Sequence, residues 1–291
     1  MPLGEKGFTH RLPAVVAQTP FETGGKSAHH SGMKIPGFIR SLFPILASGV
    51  LVVAVLGTPA SAAAAALGGD RIVTGNGDLI VHPINHATLA LGWKELTIYV
   101  DPVGGAGRFA QLPPAGLVLL TDLHGDHLNA DTLKAVLQAG TQLVAPPAVV
   151  EQLPAELRDR VTPLASGQQT NVAGLTIEAV PAYNLTPDRA KYHPKGRGVG
   201  YLLTMGGTRV YLSGDTEDIP EMRALKDIAV AFVCMNLPYT MTVQQAADAV
   251  RAFKPKVVYP YHCRGSDLDQ FRKLVGPDGG VEVRIRDWYQ P

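Results

Sequence analysis

The run Asp122-Leu123-His124-Gly125-Asp126-His127 follows directly on the apolar stretch Leu117-Val118-Leu119-Leu120-Thr121, and together they constrain the fold more than any other segment. A stretch this apolar suits a strand buried on both faces. Two imidazoles and two carboxylates at its C-terminal end have no packing role there, because polar groups withdrawn from water need partners. Ligation of a cation supplies such a partner.

Bulk composition names no macromolecular partner. Lys and Arg number 26 against 25 Asp and Glu, a formal net charge of +1, so the chain lacks the electrostatic footprint of a nucleic-acid binder. The N-terminal third carries a different signal. A short basic lead at 33–40 precedes an uncharged apolar core at 42–57, and Thr58-Pro59-Ala60-Ser61-Ala62 offers the small-x-small pattern that signal peptidases accept. The expected organisation is an extension plus signal peptide at 1–62, with Met33 an alternative start, a linker at 63–70 and one domain at 71–291. Export, to a periplasm, is the expectation. Because no charge occurs between Ser41 and Gly69, an uncleaved membrane anchor is the competing reading, and it would be the chain's one membrane contact. The two cysteines, Cys234 and Cys263, both fall in the expected domain, either as a disulfide or as two partly buried thiols.

Strand patterns cover 78–85, 87–93, 96–100, 117–121, 175–182, 200–205, 208–213, 228–235 and 256–261. Helical patterns cover 129–139, capped by Asn129 or Asp131, then 242–253 and 267–275. Two strand-rich halves with helices outside predict two sheets packed together and covered on both outer faces. Of 9 histidines, six lie in the expected domain, namely His82, His86, His124, His127, His193 and His262, each near a strand end or in a loop. With Asp215 in Ser213-Gly214-Asp215-Thr216, they assemble the imidazole and carboxylate donors that a divalent transition metal takes at about 2 Å.

In order and spacing, Asp-x-His-x-Asp-His, Ala182-Tyr183-Asn184, Ser213-Gly214-Asp215-Thr216 and Tyr259-Pro260-Tyr261-His262 resemble the metal-binding motifs of the metallo-β-lactamase superfamily. Asn85-His86-Ala87-Thr88 with Asp101-Pro102 is similar to the opening of its ascorbate-6-phosphate lactonase-like branch. The resemblance implies an α+β, four-layer αββα sandwich, two mixed sheets flanked by helices, with the site at the sheet edges. It also implies one complete metal pocket, of Asp126, His127 and His262 with Asp215 bridging. The other pocket is altered. Asp122 stands where the family has the first histidine, and Asn184 where it has the third-motif histidine, which leaves His124, Asp215, Asp122 and Asn184 as its donors. Asp122 is read equally well as a support for the His124 ring.

Oxygen donors in place of imidazoles favour harder ions. The expected cofactor is therefore Zn2+, one or two ions in unequal pockets, with Mn2+ or Fe2+ admissible in the altered one. Zinc lowers the pKa of its bound water to about 7, and the hydroxide attacks a carbonyl or phosphoryl centre. Asp126 would orient that water, and His193 would donate a proton. No Gly-x-Ser-x-Gly turn or Walker loop offers a rival chemistry. A small, anionic substrate is expected, contacted by Arg197, Tyr239 and Arg264, with His82 and His86 as supporting histidines below the site. The expected activity is hydrolysis of an ester-type bond, in a lactone, phosphodiester or thioester. True β-lactamases of the superfamily carry three imidazoles in the first pocket or a cysteine in the place of Asp215, so the resemblance disfavours β-lactams. The reading from another class is a metal-binding member of the fold without hydrolysis.

Overall fold

Side-chain alternation along the strands decides which residues face which layer. Leu117 and Leu119 of β5 (Leu117–Leu119) enter the apolar layer between two sheets, whereas Val118 points to the outer face, where it meets helices. β3 (Thr88–Trp93) does the same, with Leu89, Leu91 and Trp93 inside and Ala90 outside, and is buried along its whole length. The computed structural model describes residues 67–277 and 279–289. The signal-peptide reading of 1–62 lies outside these residues.

The first sheet runs in chain order through β1 (Asp70–Ile72), β2 (Leu79–Asn85), β3, β4 (Leu96–Val100), β5, β6 (Gln142–Ala145) and β7 (Val161–Pro163). Its first three pairings are antiparallel and its last three parallel. The second sheet repeats that pattern with β8 (Gln169–Val172), β9 (Leu175–Ala182), β10 (Gly198–Met205), β11 (Thr208–Leu212), β12 (Ile228–Cys234), β13 (Val257–Tyr261) and β14 (Glu282–Val283). Each half has one outer cover. The short helices α1 (Ala130–Val136), α2 (Pro147–Gln152) and α3 (Ala155–Arg158) pack Leu133, Val149 and Leu157 on the first sheet. After α4 (Pro187–Ala190) and α5 (Pro220–Arg223), the helices α6 (Val243–Phe253) and α7 (Leu268–Val275) place Ala246, Val250, Phe253 and Phe271 in the larger cluster. The result is the expected αββα sandwich.

Caps fix where the helices start. Asn129 accepts from Thr132 N at the head of α1, and Thr242 with Gln245 forms a capping box on α6. α1 stops at Val136, short of the expected 139, because Leu137 is already extended. The fold also takes in Asp70, the last residue of the expected linker, as the first residue of β1. β1, β6, β7, β8 and β14, with α2 to α5, have no counterpart in the sequence reading, since each is too short for a period to show. Among the described residues no helix is long and apolar enough to cross a membrane. Cys234 and Cys263 are free, buried thiols, and burial pushes them up to about 12 and about 11, which makes both poor sources of thiolate.

Topology sets the location of the site. β2, β4 and β5 point the same way, as do β9, β11, β12 and β13, so their C-terminal ends gather along one edge of the sandwich. Crevices beyond the carboxyl ends of strands are the usual ligand sites of sheets of this kind.

Candidate metal centre

Asp215 is the hub. It leaves β11 through Gly214, whose φ of +59° and missing side chain matter, because a Cβ there would sit 2.5 Å from the Val199 carbonyl oxygen. Three ring nitrogens surround its Oδ2: His193 Nε2 at 3.1 Å, His127 Nε2 at 3.2 Å and His262 Nε2 at 3.3 Å. His262 Nε2 also lies 3.3 Å from Asp126 Oδ2, as does His86 Nε2. His127, Asp215 and His262 can share one ion, and so can His86, Asp126 and His262.

Whether these residues fit a metal is tested by what the buried atoms lack. Among the described residues His127 Nε2, His193 Nε2, Asp215 Oδ1 and Asn184 Oδ1 have no hydrogen-bond partner. Buried nitrogens 3.1 and 3.2 Å from a carboxylate oxygen, as His193 Nε2 and His127 Nε2 are, yet without a hydrogen bond, are arranged about something else. Donors bound tetrahedrally at about 2.0–2.1 Å stand about 3.3 Å from one another, which is the spacing found. The donor set therefore fits a divalent ion.

The rings are oriented from behind. His127 Nδ1 donates to Asp101 Oδ2 at 2.8 Å, and the same carboxylate accepts from Thr121 N at 2.7 Å and Thr121 Oγ1 at 2.5 Å. With Nδ1 committed to Asp101, His127 turns its Nε2 toward Asp215. His193 Nδ1 faces the Tyr239 carbonyl oxygen at 3.1 Å, which leaves its Nε2 toward Asp215 in the same manner. Charge follows. Burial opposes it, but Asp215 and Asp101 hold the His127 imidazole well above its ordinary range. Burial likewise works against ionised Asp215 and Asp126; the histidines outweigh it and keep both carboxyls well below theirs.

His86 is a correction to the sequence reading. Rather than lying below the site, it lines the pocket, in the turn between β2 and β3. Its N–H donates to the Trp288 carbonyl at 3.1 Å, its own carbonyl accepts from His262 N at 3.0 Å, and the two rings lie 3.8 Å apart. Tyr289 holds the far side of the ring, its hydroxyl 2.8 Å from His86 Nδ1 while accepting from Cys263 N at 2.9 Å. His86, Asp101 and His262 all have φ between 44° and 53°, left-handed backbone kept by such ties. We expect Tyr289→Phe to cost about 1 kcal/mol of stability and to weaken metal binding about tenfold. Thermal melts and metal competition titration check this, and unchanged affinity would show that the His86 ring needs no such support.

Other expected site residues land elsewhere. His82 points to the Gly68 carbonyl, 3.3 Å from Nδ1, three residues back along β2 from the site edge, and supports nothing there. Asn184 is a brace, since its Nδ2 donates to the Tyr239 and Arg189 carbonyls at 2.6 and 2.9 Å and its N to the His193 carbonyl at 2.9 Å. Arg197 does not line the pocket but packs on Asp122 and His124. Arg264 and Tyr239 do line it, with Tyr192 and Asn236, around a cavity of about 350 Å3. A buried pair, Arg189 with Glu217 at 2.6 Å, ties the rim loops together, because Glu217 also accepts from Leu185 N and Thr186 N at 2.6 Å and Arg189 donates to the Thr240 carbonyl at 2.8 Å.

The support role of Asp101 went unread in the sequence, although the signal was available, a carboxylate closing the apolar strand β4 as Asp122 closes β5. Comparison with known proteins places the fold in a family. The profile of the beta-lactamase superfamily domain matches residues 97–263. A "UPF0173 metal-dependent hydrolase" of Thermococcus onnurineus is 31% identical over 200 residues, 64% of this chain and 88% of the relative. A crystal structure from Parabacteroides distasonis, provisionally named a metal-dependent hydrolase, is 40% identical with a TM-score of 0.70, covering 77% of this chain and 100% of the other. A metallo hydrolase from Ignicoccus hospitalis, at 22% identity and TM-score 0.61 over 73% of this chain and 96% of its own, shares the fold. The chain belongs to the metallo-β-lactamase superfamily, among its metal-dependent hydrolases.

Proposed function

We propose that the protein is an exported hydrolase of small ester-type molecules, lactone, phosphodiester or thioester, that works with zinc. The observation that carries this is the convergence of three imidazole nitrogens on Asp215 Oδ2, two of them, His127 Nε2 and His193 Nε2, without any hydrogen-bond partner. His127, Asp215 and His262 would hold the ion, with Asp126 and His86 beside them. When bound, the ion supplies a Lewis acid for the substrate oxygen and lowers the pKa of water.

The chain's own residues do the rest. Asp126, close to half exposed and kept ionised, faces the pocket and is placed to orient water there. His193, which lines the same pocket, is the residue placed to hand a proton to a leaving group. Tyr192 and Tyr239, edge to face at 5.0 Å, give the pocket an apolar wall for an acyl or ring portion. Arg264 is the single cation among the lining residues, and it favours a substrate with an anionic group.

The test is hydrolysis of lactone, phosphodiester and thioester panels by zinc-loaded protein, alongside Asp126→Ala and His262→Ala. Turnover of one class that both substitutions abolish is the expected result. Metal binding with no turnover on any panel would overturn it in favour of a non-catalytic metal protein. Export rests on the sequence of 33–62, and N-terminal sequencing of the periplasmic fraction checks it.

A further inference from the structure

We infer that Arg197 closes the second metal pocket, so that the chain takes one ion and keeps a guanidinium as the fixed cation of the other half-site. This rests on the proposed function only in assuming that the His127–Asp215–His262 group binds metal. Asp122, His124 and His193 are close enough to share an ion, which makes the question a real one.

The hydrogen-bond logic answers it. Arg197 Nη2 lies 3.1 Å from His124 Nε2 and 3.4 Å from Asp122 Oδ2, and it also donates to the Tyr192 carbonyl. A guanidinium only donates and does not lose its proton, so His124 Nε2 must accept. With Nε2 accepting, a ring proton falls to Nδ1, which stands 3.3 Å from Asp122 Oδ1. Nε2 is thereby committed to Arg197, while Nδ1 faces the Asp122 carboxylate. Asp122, 2% exposed, accepts in addition from His124 N at 3.1 Å.

Two further observations point the same way. Asp122 sits in a place built for it, since a Cβ on Gly198, the residue after Arg197, would lie 2.7 Å from Asp122 Oδ2. The buried atoms left without partners include His127 Nε2, His193 Nε2, His262 Nδ1 and Asp215 Oδ1, but neither oxygen of the buried Asp122 carboxylate. Arg197 Nε is among them, so the guanidinium is held through Nη2. The departures at Asp122 and Asn184 acquire a common sense: the first provides the carboxylate that anchors Arg197, and the second removes an imidazole from a pocket that binds no ion.

Zinc content after equilibration with excess zinc and gel filtration tests this, in wild type, Arg197→Met and Asp122→His/Arg197→Met. We expect one zinc per chain in wild type and two in the double variant, with the second zinc binding at least tenfold more tightly in Arg197→Met than in wild type. The double variant leaves no unpaired buried carboxylate should Arg197→Met fail to fold. Nitrogen-15 spectra of zinc-loaded wild type should independently show His124 protonated on Nδ1. Two tightly held zinc ions in wild type, or His124 protonated on Nε2, would overturn the inference while leaving the hydrolase reading intact. No zinc in any folded variant would overturn both.

Discussion

Asp215→Asn is expected to empty the metal centre. The substitution keeps the shape of the side chain but removes the charge on which three ring nitrogens converge at 3.1 to 3.3 Å. An amide is also a weak zinc donor. We expect the purified variant to hold less than a tenth of the wild-type metal, and kcat/KM on whichever ester class is turned over to fall by about 10^3-fold, ~4 kcal/mol of transition-state stabilisation. The fold should survive, since loss of the charge relieves a buried carboxylate of its need for a counter-ion. Elemental analysis and steady-state kinetics decide it. Wild-type metal content with wild-type rate would exclude Asp215 from the centre.

Asp101→Ala should act on stability first and the metal second. The carboxylate is fully buried and satisfies Thr121 N, Thr121 Oγ1 and His127 Nδ1 at once. Its removal strands three donors and takes a counter-charge from His127, a loss of about 3–5 kcal/mol. The freed imidazole is no longer fixed with its proton on Nδ1, so metal affinity should fall about 10–100-fold. Urea unfolding and metal titration of the same preparations separate the two effects. Asp101→Asn, which still accepts one bond, should recover part of the stability but less of the affinity. Equal affinity in all three proteins would reduce Asp101 to a structural role.

The legible parts of this molecule were those with long or ordered patterns. Strands such as β9 and β12 and the helix α6 carry enough residues for a period to show, and the metal motifs keep their order along the chain. What escaped was set by contact across sequence distance. His86 and Tyr289 are 203 residues apart, and nothing local to either announces that one holds the other. Arg197 reads as a charge in a polar loop until the fold lays it on Asp122, 75 residues away. The repeated order of the two sheets was invisible for a related reason: the halves share pairing directions and not residues.

Because His127 comes from the first sheet and Asp215 and His262 from the second, an ion at this centre clamps the two sheets together at their shared edge. It closes a loop from residue 127 to residue 262, and a covalent link closing about 100 residues is worth about 4.7 kcal/mol in the chain-entropy account. The cysteines form no such link. An ion there would serve as a removable crosslink, and chelation should then loosen the seam between the sheets, with faster amide exchange there than in either sheet's own strands.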